Sequence, residues 1–220
     1  MAANGQLPLQ LKAVPAVLKQ GEIERWARKA QLCPLLGVDE AGRGPLAGPV
    51  VAAAVSLHGS RRILGLDDSK KLSEARRELL FDKIIARATA FGVGIVDAET
   101  IDRIGILPAT FLAMRKAIDE ALENHFCPAL IAVDGNLTIP GVSWPQKAIV
   151  KGDGRSRNIA AASILAKVTR DRMMLEYHAE FPQYGFDRHK GYGTKLHLAA
   201  IRSEGACSIH RLSFKPCSPD

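Results

Sequence analysis

Four acidic residues stand where apolar runs stop. Asp39 and Glu40 follow Leu35-Leu36-Gly37-Val38, Asp134 follows Leu130-Ile131-Ala132-Val133, and Asp153 sits in Lys151-Gly152-Asp153-Gly154, directly after Ala148-Ile149-Val150. A lone acid of this kind is most simply a solvated charge in a turn. Three strand ends carrying acids describe something else, namely carboxylates gathered at one edge of a sheet. Carboxylates packed together repel and raise one another's pKa, so such a cluster persists mainly when a hard cation, Mg²⁺ or Mn²⁺, neutralises it. With two ions about 3.5 to 4 Å apart, one activates a water while the other stabilises the leaving oxygen of a phosphoryl transfer.

Gly42-Arg43-Gly44-Pro45 comes next. Glycine lets a backbone approach a ligand closely, Arg43 can meet a phosphate bidentately, and the backbone could read a sugar 2′-OH. Pro45 and the β-rich Val50 to Val55 follow where a dinucleotide fold needs a helix, and no GK[ST] occurs, so neither nucleotide-loop pattern fits. Asp67-Asp68-Ser69-Lys70-Lys71 and Lys151, Arg155, Arg157, Lys167, Arg170 and Arg172 could clamp phosphates, or could simply be solvated surface charge. His189-Lys190-Gly191-Tyr192-Gly193 places an aromatic in a basic, glycine-flanked loop that could lay a ring on a sugar or base; in isolation it reads as a turn. The other histidines have no spacing that suggests a metal ligand or a nucleophile's base. Asp171, flanked by Arg170 and Arg172, reads as a local ion pair within a helix.

The elements that must position these groups follow from periodicity. Ala16 to Gln31 reads as an amphipathic helix ending before Pro34. Leu35 to Asp39 and Val50 to Leu57 read as neighbouring strands joined by the glycine loop. Ser73 caps a helix running to Ala90, with Leu79, Leu80, Ile84 and Ile85 as its buried stripe, and Phe91 to Val96 is a third strand. Pro108 to His125 suits a helix, Ala129 to Val133 and Gln146 to Val150 two more strands, and Ile159 to Tyr177 and Lys195 to Ser203 two more helices. The expected fold is α/β: a mixed five-stranded sheet flanked by helices, with a small helical C-terminal part.

Composition sets the outer bounds. The chain has 220 residues, 47% hydrophobic and only 5% aromatic, which suits one domain spanning 1–220, with a core over about 32–215 and the 16–31 helix as an extension. Lys plus Arg exceed Asp plus Glu by 30 to 23, a net charge of +7 that suits a polyanionic partner without requiring one. Cys33, Cys127, Cys207 and Cys217 form no CxxC or zinc spacing, so reduced thiols in the cytoplasm are expected. Pro8 and Pro15 break any secretory core, and Pro49 to Leu57 is too short to span a bilayer, so no membrane association is expected.

Together the motifs resemble ribonuclease HII. Those that carry the likeness are Gly37-Val38-Asp39-Glu40-Ala41-Gly42-Arg43-Gly44-Pro45, Leu66 to Leu72, Val133-Asp134-Gly135-Asn136, Ile159 to Asp171, Tyr184-Gly185-Phe186, His189 to Thr194 and His210-Arg211-Leu212-Ser213-Phe214, in that order. The likeness covers roughly Leu35 to Phe214. It implies the ribonuclease H fold and a monomer that hydrolyses the RNA strand of RNA–DNA hybrids with Mn²⁺ or Mg²⁺. It also implies incision 5′ to a single ribonucleotide in duplex DNA, leaving 3′-hydroxyl and 5′-phosphate ends. Asp39, Glu40, Asp134 and Asp153 fall on the family's catalytic, metal-binding acids, and Gly42, Arg43, Gly44 and Tyr192 on its ribonucleotide-recognition elements; Lys70, from the basic stretch above, is expected to bind substrate beside them. Gly105 departs from the pattern, where the family usually shows asparagine before Ile-Leu. Ribonuclease HIII carries an additional N-terminal domain for which the about thirty residues before Leu35 are too few. A non-catalytic binder of hybrid duplexes is the rival from another class, and all four acids argue against it.

Overall fold

The computed structural model describes residues 19–59 and 63–217. Its elements are α1 (Glu22–Lys29), β1 (Leu35–Ala41), β2 (Val50–Leu57), α2 (Glu74–Arg87), β3 (Ala88–Val96), α3 (Ala98–Ile104), α4 (Ile106–Leu122), β4 (Leu130–Asp134), β5 (Gln146–Ile149), α5 (Arg157–Glu180), α6 (Phe186–His189) and α7 (Lys195–Glu204). The strands form one sheet in the order β3-β2-β1-β4-β5. β1 to β3 pair antiparallel, and β4 and β5 join as parallel strands.

Side chains alternate across a strand, so each residue's parity assigns it to a face. Val50, Ala52 and Ala54 of β2, with Leu36 and Val38 of β1 and Ile131 and Val133 of β4, pack against Ala109, Ala113, Ala117 and Ile118 of α4. The odd residues Val51, Ala53 and Val55 meet Ala160 to Val168 of α5 and Leu80 and Ile84 of α2. Small side chains on α4 and α5 let both helices lie close to the sheet. The same parity puts Asp39 and Asp134 on the α5 side, one position past the paired Val38 and Val133. The sheet therefore delivers these two acids side by side at the C-terminal ends of two parallel strands, where α/β folds place ligands.

Several boundaries and contacts differ from expectation. The first helix begins at Glu22, because Gly21 takes a left-handed conformation (φ 84°) that cannot continue a helix; Ala16 to Leu18 lie outside the described residues. Only Leu80 and Ile84 of the expected α2 stripe are buried, while Leu79 and Ile85 are exposed, since α2 meets the core along a narrow edge beside α5. α2 ends earlier, at Arg87, and β3 begins at Ala88. Helix α3 was not expected; the Asp97 side chain caps it by accepting from Thr100 N. Asp171 does pair locally, but with Lys167 Nζ one turn back (2.6 Å) and Arg77 of α2 (3.7 Å) rather than with its sequence neighbours.

No helix among the described residues is long and apolar enough to cross a membrane.

Candidate active site

Carboxylate oxygens of Asp39, Asp134 and Asp153 lie within 4.8 Å of one another. Asp153 reaches them from the short 3-10 turn Gly152–Gly154, which is drawn in where Gly152 N donates to Asp134 Oδ1 at 2.7 Å. Glu40, the next residue along β1, lies outside this trio but close enough for its charge to act on Asp39. Its carboxylate meets the Arg43 guanidinium at 3.3 Å instead.

Burial first, then the charges of Glu40 and Asp134, push Asp39 well above the usual carboxylate range. Burial also raises Glu40, against the opposing pull of Arg43, and raises Asp153 together with the charges of Asp134 and Asp68. Lys70 is raised too: burial works against its charge, but Asp68, Asp39, Asp153 and Asp134 outweigh it. Three close carboxylates with one partly buried ammonium nearby leave an excess of negative charge. That excess fits a hard divalent cation, and Asp39, Asp134 and Asp153 are the residues placed to hold one.

Beside the acids lies a recess of about 230 Å³ lined by Glu40, Gly42, Arg43, Gly44, Ser69, Lys70, Ser163, Lys167 and Tyr192. All five residues expected to touch substrate, Gly42, Arg43, Gly44, Lys70 and Tyr192, therefore meet in one place. Lys70 is presented by the 3-10 turn Ser69–Lys71, capped where the Asp68 carboxylate accepts from Lys70 N. Tyr192 is 45% exposed, with the Arg170 guanidinium 6.0 Å from its ring centroid.

The recess is held by two arginines that sequence reading treated otherwise. Arg170, grouped above with the possible phosphate clamps, is buried and donates to the carbonyls of Pro49 (2.9 Å), Lys190 (2.9 Å) and Ala47 (3.0 Å). Arg211 is buried likewise and donates to Gly48, Arg43 and Gly42 at 2.6 to 3.0 Å. Burial lowers Arg170 to about 10 and Arg211 to about 9, so both stay charged at neutral pH. Hydrogen bonds to a charged donor contribute about 1.5 to 3 kcal/mol each, enough in these numbers to offset a desolvation cost of several kcal/mol. Of the other basic residues, Lys167 pairs with Asp171 and Arg172 with Glu78.

Ser69 and Ser163 were not singled out from the sequence, although both lie inside motifs that carried the resemblance. Their hydroxyls are 2.8 Å apart, and Ser163 also hydrogen-bonds the Asp39 carboxylate.

A family model described as ribonuclease HII matches residues 36–217, a span that contains every residue of the acid cluster and the recess. The chain belongs to the ribonuclease HII family. It is 54% identical over 183 residues to ribonuclease HII of Endomicrobium trichonymphae, covering 83% of this chain and 86% of that one. With ribonuclease HII of Burkholderia mallei (strain SAVP1) the identity is 57% over 180 residues, 82% of each chain. Among solved structures, ribonuclease H2 from Pyrococcus horikoshii OT3 superposes with a TM-score of 0.67 at 28% identity, covering 83% of this chain and 94% of that one. The family places the chain among metal-dependent endoribonucleases, hydrolases whose substrate is nucleic acid.

Proposed function

We propose that this enzyme hydrolyses the RNA strand of RNA–DNA hybrids and incises 5′ to single ribonucleotides embedded in duplex DNA, as a cytoplasmic monomer in which residues 1–220 act as one domain. The observation that carries this reading is the placement of the acid trio beside a recess that gathers a glycine loop, two cations and an exposed tyrosine.

Asp39, Asp134 and Asp153 would hold the divalent ion, Mn²⁺ or Mg²⁺, with Glu40 as the fourth acid of the centre. When bound, that ion would supply Lewis acidity and lower the pKa of a bound water. Arg43 and Lys70 bind and orient the phosphate chain on either side of the acids. The Arg43 fork is suited to two phosphate oxygens, and releasing it from Glu40 frees that carboxylate for the centre. Backbone groups of Gly42 and Gly44 read the 2′-OH, and the Tyr192 ring lies against the same sugar. In this arrangement the 2′-OH is held by hydrogen bonds and does not attack, so the ends are a 3′-hydroxyl and a 5′-phosphate. Burial and the neighbouring carboxylates raise the Asp39 pKa, so cation binding, which needs the carboxylate form, competes with its protonation.

The test is cleavage of a labelled DNA duplex containing one ribonucleotide, in Mn²⁺, in Mg²⁺ and in EDTA, beside an all-DNA duplex. Metal-dependent cutting 5′ to the ribonucleotide, with no cyclic phosphate and an intact all-DNA control, is expected. Retained binding with no cutting in either metal would instead identify a non-catalytic binder.

A further inference from the structure

The Tyr192 ring is partly exposed, with Arg170 to one side, and its backbone is tied down. Tyr192 O accepts from Thr194 N at 2.8 Å and lies 3.0 Å from His197 Nδ1. His197 Nε2 lies 3.0 Å from His210 Nε2, and His210 Nδ1 accepts from Cys207 N at 2.9 Å. Both histidines are buried, His197 at 0% and His210 at 2% exposure.

The proton positions in this chain follow from its two ends. A carbonyl can only accept, so His197 Nδ1 must carry a proton and donate to Tyr192 O. A backbone N–H can only donate, so His210 Nδ1 must be bare, the Cys207 thiol 3.0 Å away then being a second donor to it, and the His210 proton must sit on Nε2. The middle contact is then one hydrogen bond, from His210 Nε2–H to the lone pair of His197 Nε2. Assignments made independently from opposite ends agree, and each ring is neutral. A further proton on either ring would set N–H against N–H at the middle contact or at the Cys207 amide. Burial lowers both imidazoles, His197 to about 4, in keeping with neutral rings.

The segment that carries His210 also supports the other side of the recess. Gly48 N donates to Ile209 O, Arg211 N donates to Leu46 O, and the Arg211 guanidinium holds the carbonyls of Gly42 and Arg43. Leu46 N in turn donates to Gly191 O, beside Tyr192.

We infer that His197 and His210 are positioning residues for ribonucleotide recognition: a one-way relay of neutral imidazoles, running from Cys207 N to Tyr192 O, that fixes where the Tyr192 ring stands relative to the glycine loop. This rests on the reading of Tyr192 as the sugar-facing residue. A mere packing role would not require a particular tautomer; the relay requires His197 as the Nδ1–H form and His210 as the Nε2–H form.

Two measurements test it. Imidazole ¹⁵N shifts of the intact protein at neutral pH are expected to show His197 protonated on Nδ1 and His210 on Nε2; the opposite tautomer at either ring overturns the relay. For kinetics, the variants are His197→Phe, which removes the donor, and His197→Asn, whose amide retains one near the Nδ1 position, alongside Tyr192→Ala. His197→Phe is expected to raise KM on a duplex with one ribonucleotide about tenfold, the scale of one lost hydrogen bond. His197→Asn should recover most of that loss, and the thermal shift on adding Mn²⁺ should match wild type in both. If Tyr192→Ala impairs cleavage while His197→Phe does not, the relay falls and the reading of Tyr192 stands. Should Tyr192→Ala itself cleave like wild type, that reading fails and takes the relay's role with it.

Discussion

Gly42 and Arg170 occupy one another's space. A Cβ on Gly42 would come within 2.2 Å of Arg170 Nε and 2.7 Å of Pro49 O, and Gly42 has φ +95°. The guanidinium cannot retreat without giving up its three carbonyls. Gly42→Ala should therefore cost roughly 1 to 3 kcal/mol from backbone strain alone and collapse cleavage by displacing Arg43. Urea denaturation and turnover on a hybrid substrate check this, and a variant with wild-type midpoint and rate would show that the loop tolerates a side chain.

The acid centre should trade stability for function. Asp39 has a raised carboxyl pKa in the fold, against 3.8 for the ordinary side chain. Between those values the folded protein holds a proton that the unfolded chain has released, so stability is full at low pH and is lost as pH rises through the folded value. Asp39→Asn removes this cost. In EDTA at pH 7.5 its Tm should exceed that of wild type by a few degrees, about 2 to 4 °C per kcal/mol for a chain of this size, while cleavage is abolished. A melting curve at or below wild type would contradict the electrostatic account.

Histidine acts in the opposite direction. His197 titrates near 4 in the fold and near 6.5 when unfolded. Its contribution is complete above pH 6.5 and is lost as pH falls towards 4, on the order of 3 kcal/mol over the full interval. Chemical denaturation between pH 7 and 4.5 should show this loss in wild type and a shallower slope in His197→Phe. Parallel slopes would place the proton uptake elsewhere.

Gly105 joins α3 to α4 at φ 83°, ψ 157°, a conformation that is essentially restricted to glycine. Asparagine, usual for the family at this point, tolerates positive φ mainly in the left-handed helical region, where ψ is small. Gly105→Asn is accordingly expected to destabilise this chain by about 1 to 3 kcal/mol with little change in KM, read from paired denaturation and kinetic measurements. An unchanged denaturation midpoint would show that the α3–α4 joint adapts.

What could be seen in the sequence was whatever is encoded locally. β1 and β4 begin as apolar runs that stop at an acid and β5 is followed within four residues by one, so these strands and the meeting of Asp39, Asp134 and Asp153 were legible, as was the Ser73 cap, which accepts from Arg76 N. Helix α3 was missed because seven residues are too few to display a period; the Asp97 to Thr100 spacing was the available cue. Arg170 and Arg211 resemble surface cations in sequence, since all their carbonyl partners but Lys190 O lie more than a hundred residues away. The histidine relay was hidden for a related reason. Spacing between His197 and His210 carries no period, and the packing of Tyr184 and Phe186 around the rings accompanies their meeting.

The Arg211 contact also has a bearing on synthesis. Gly42 and the arginine that holds its carbonyl are separated by 169 positions. Every acid of the trio has been translated by residue 153, yet the loop that would distinguish ribose from deoxyribose lacks its clamp until residue 211 clears the ribosome. The support of the glycine loop therefore cannot be completed until almost the whole chain has been made.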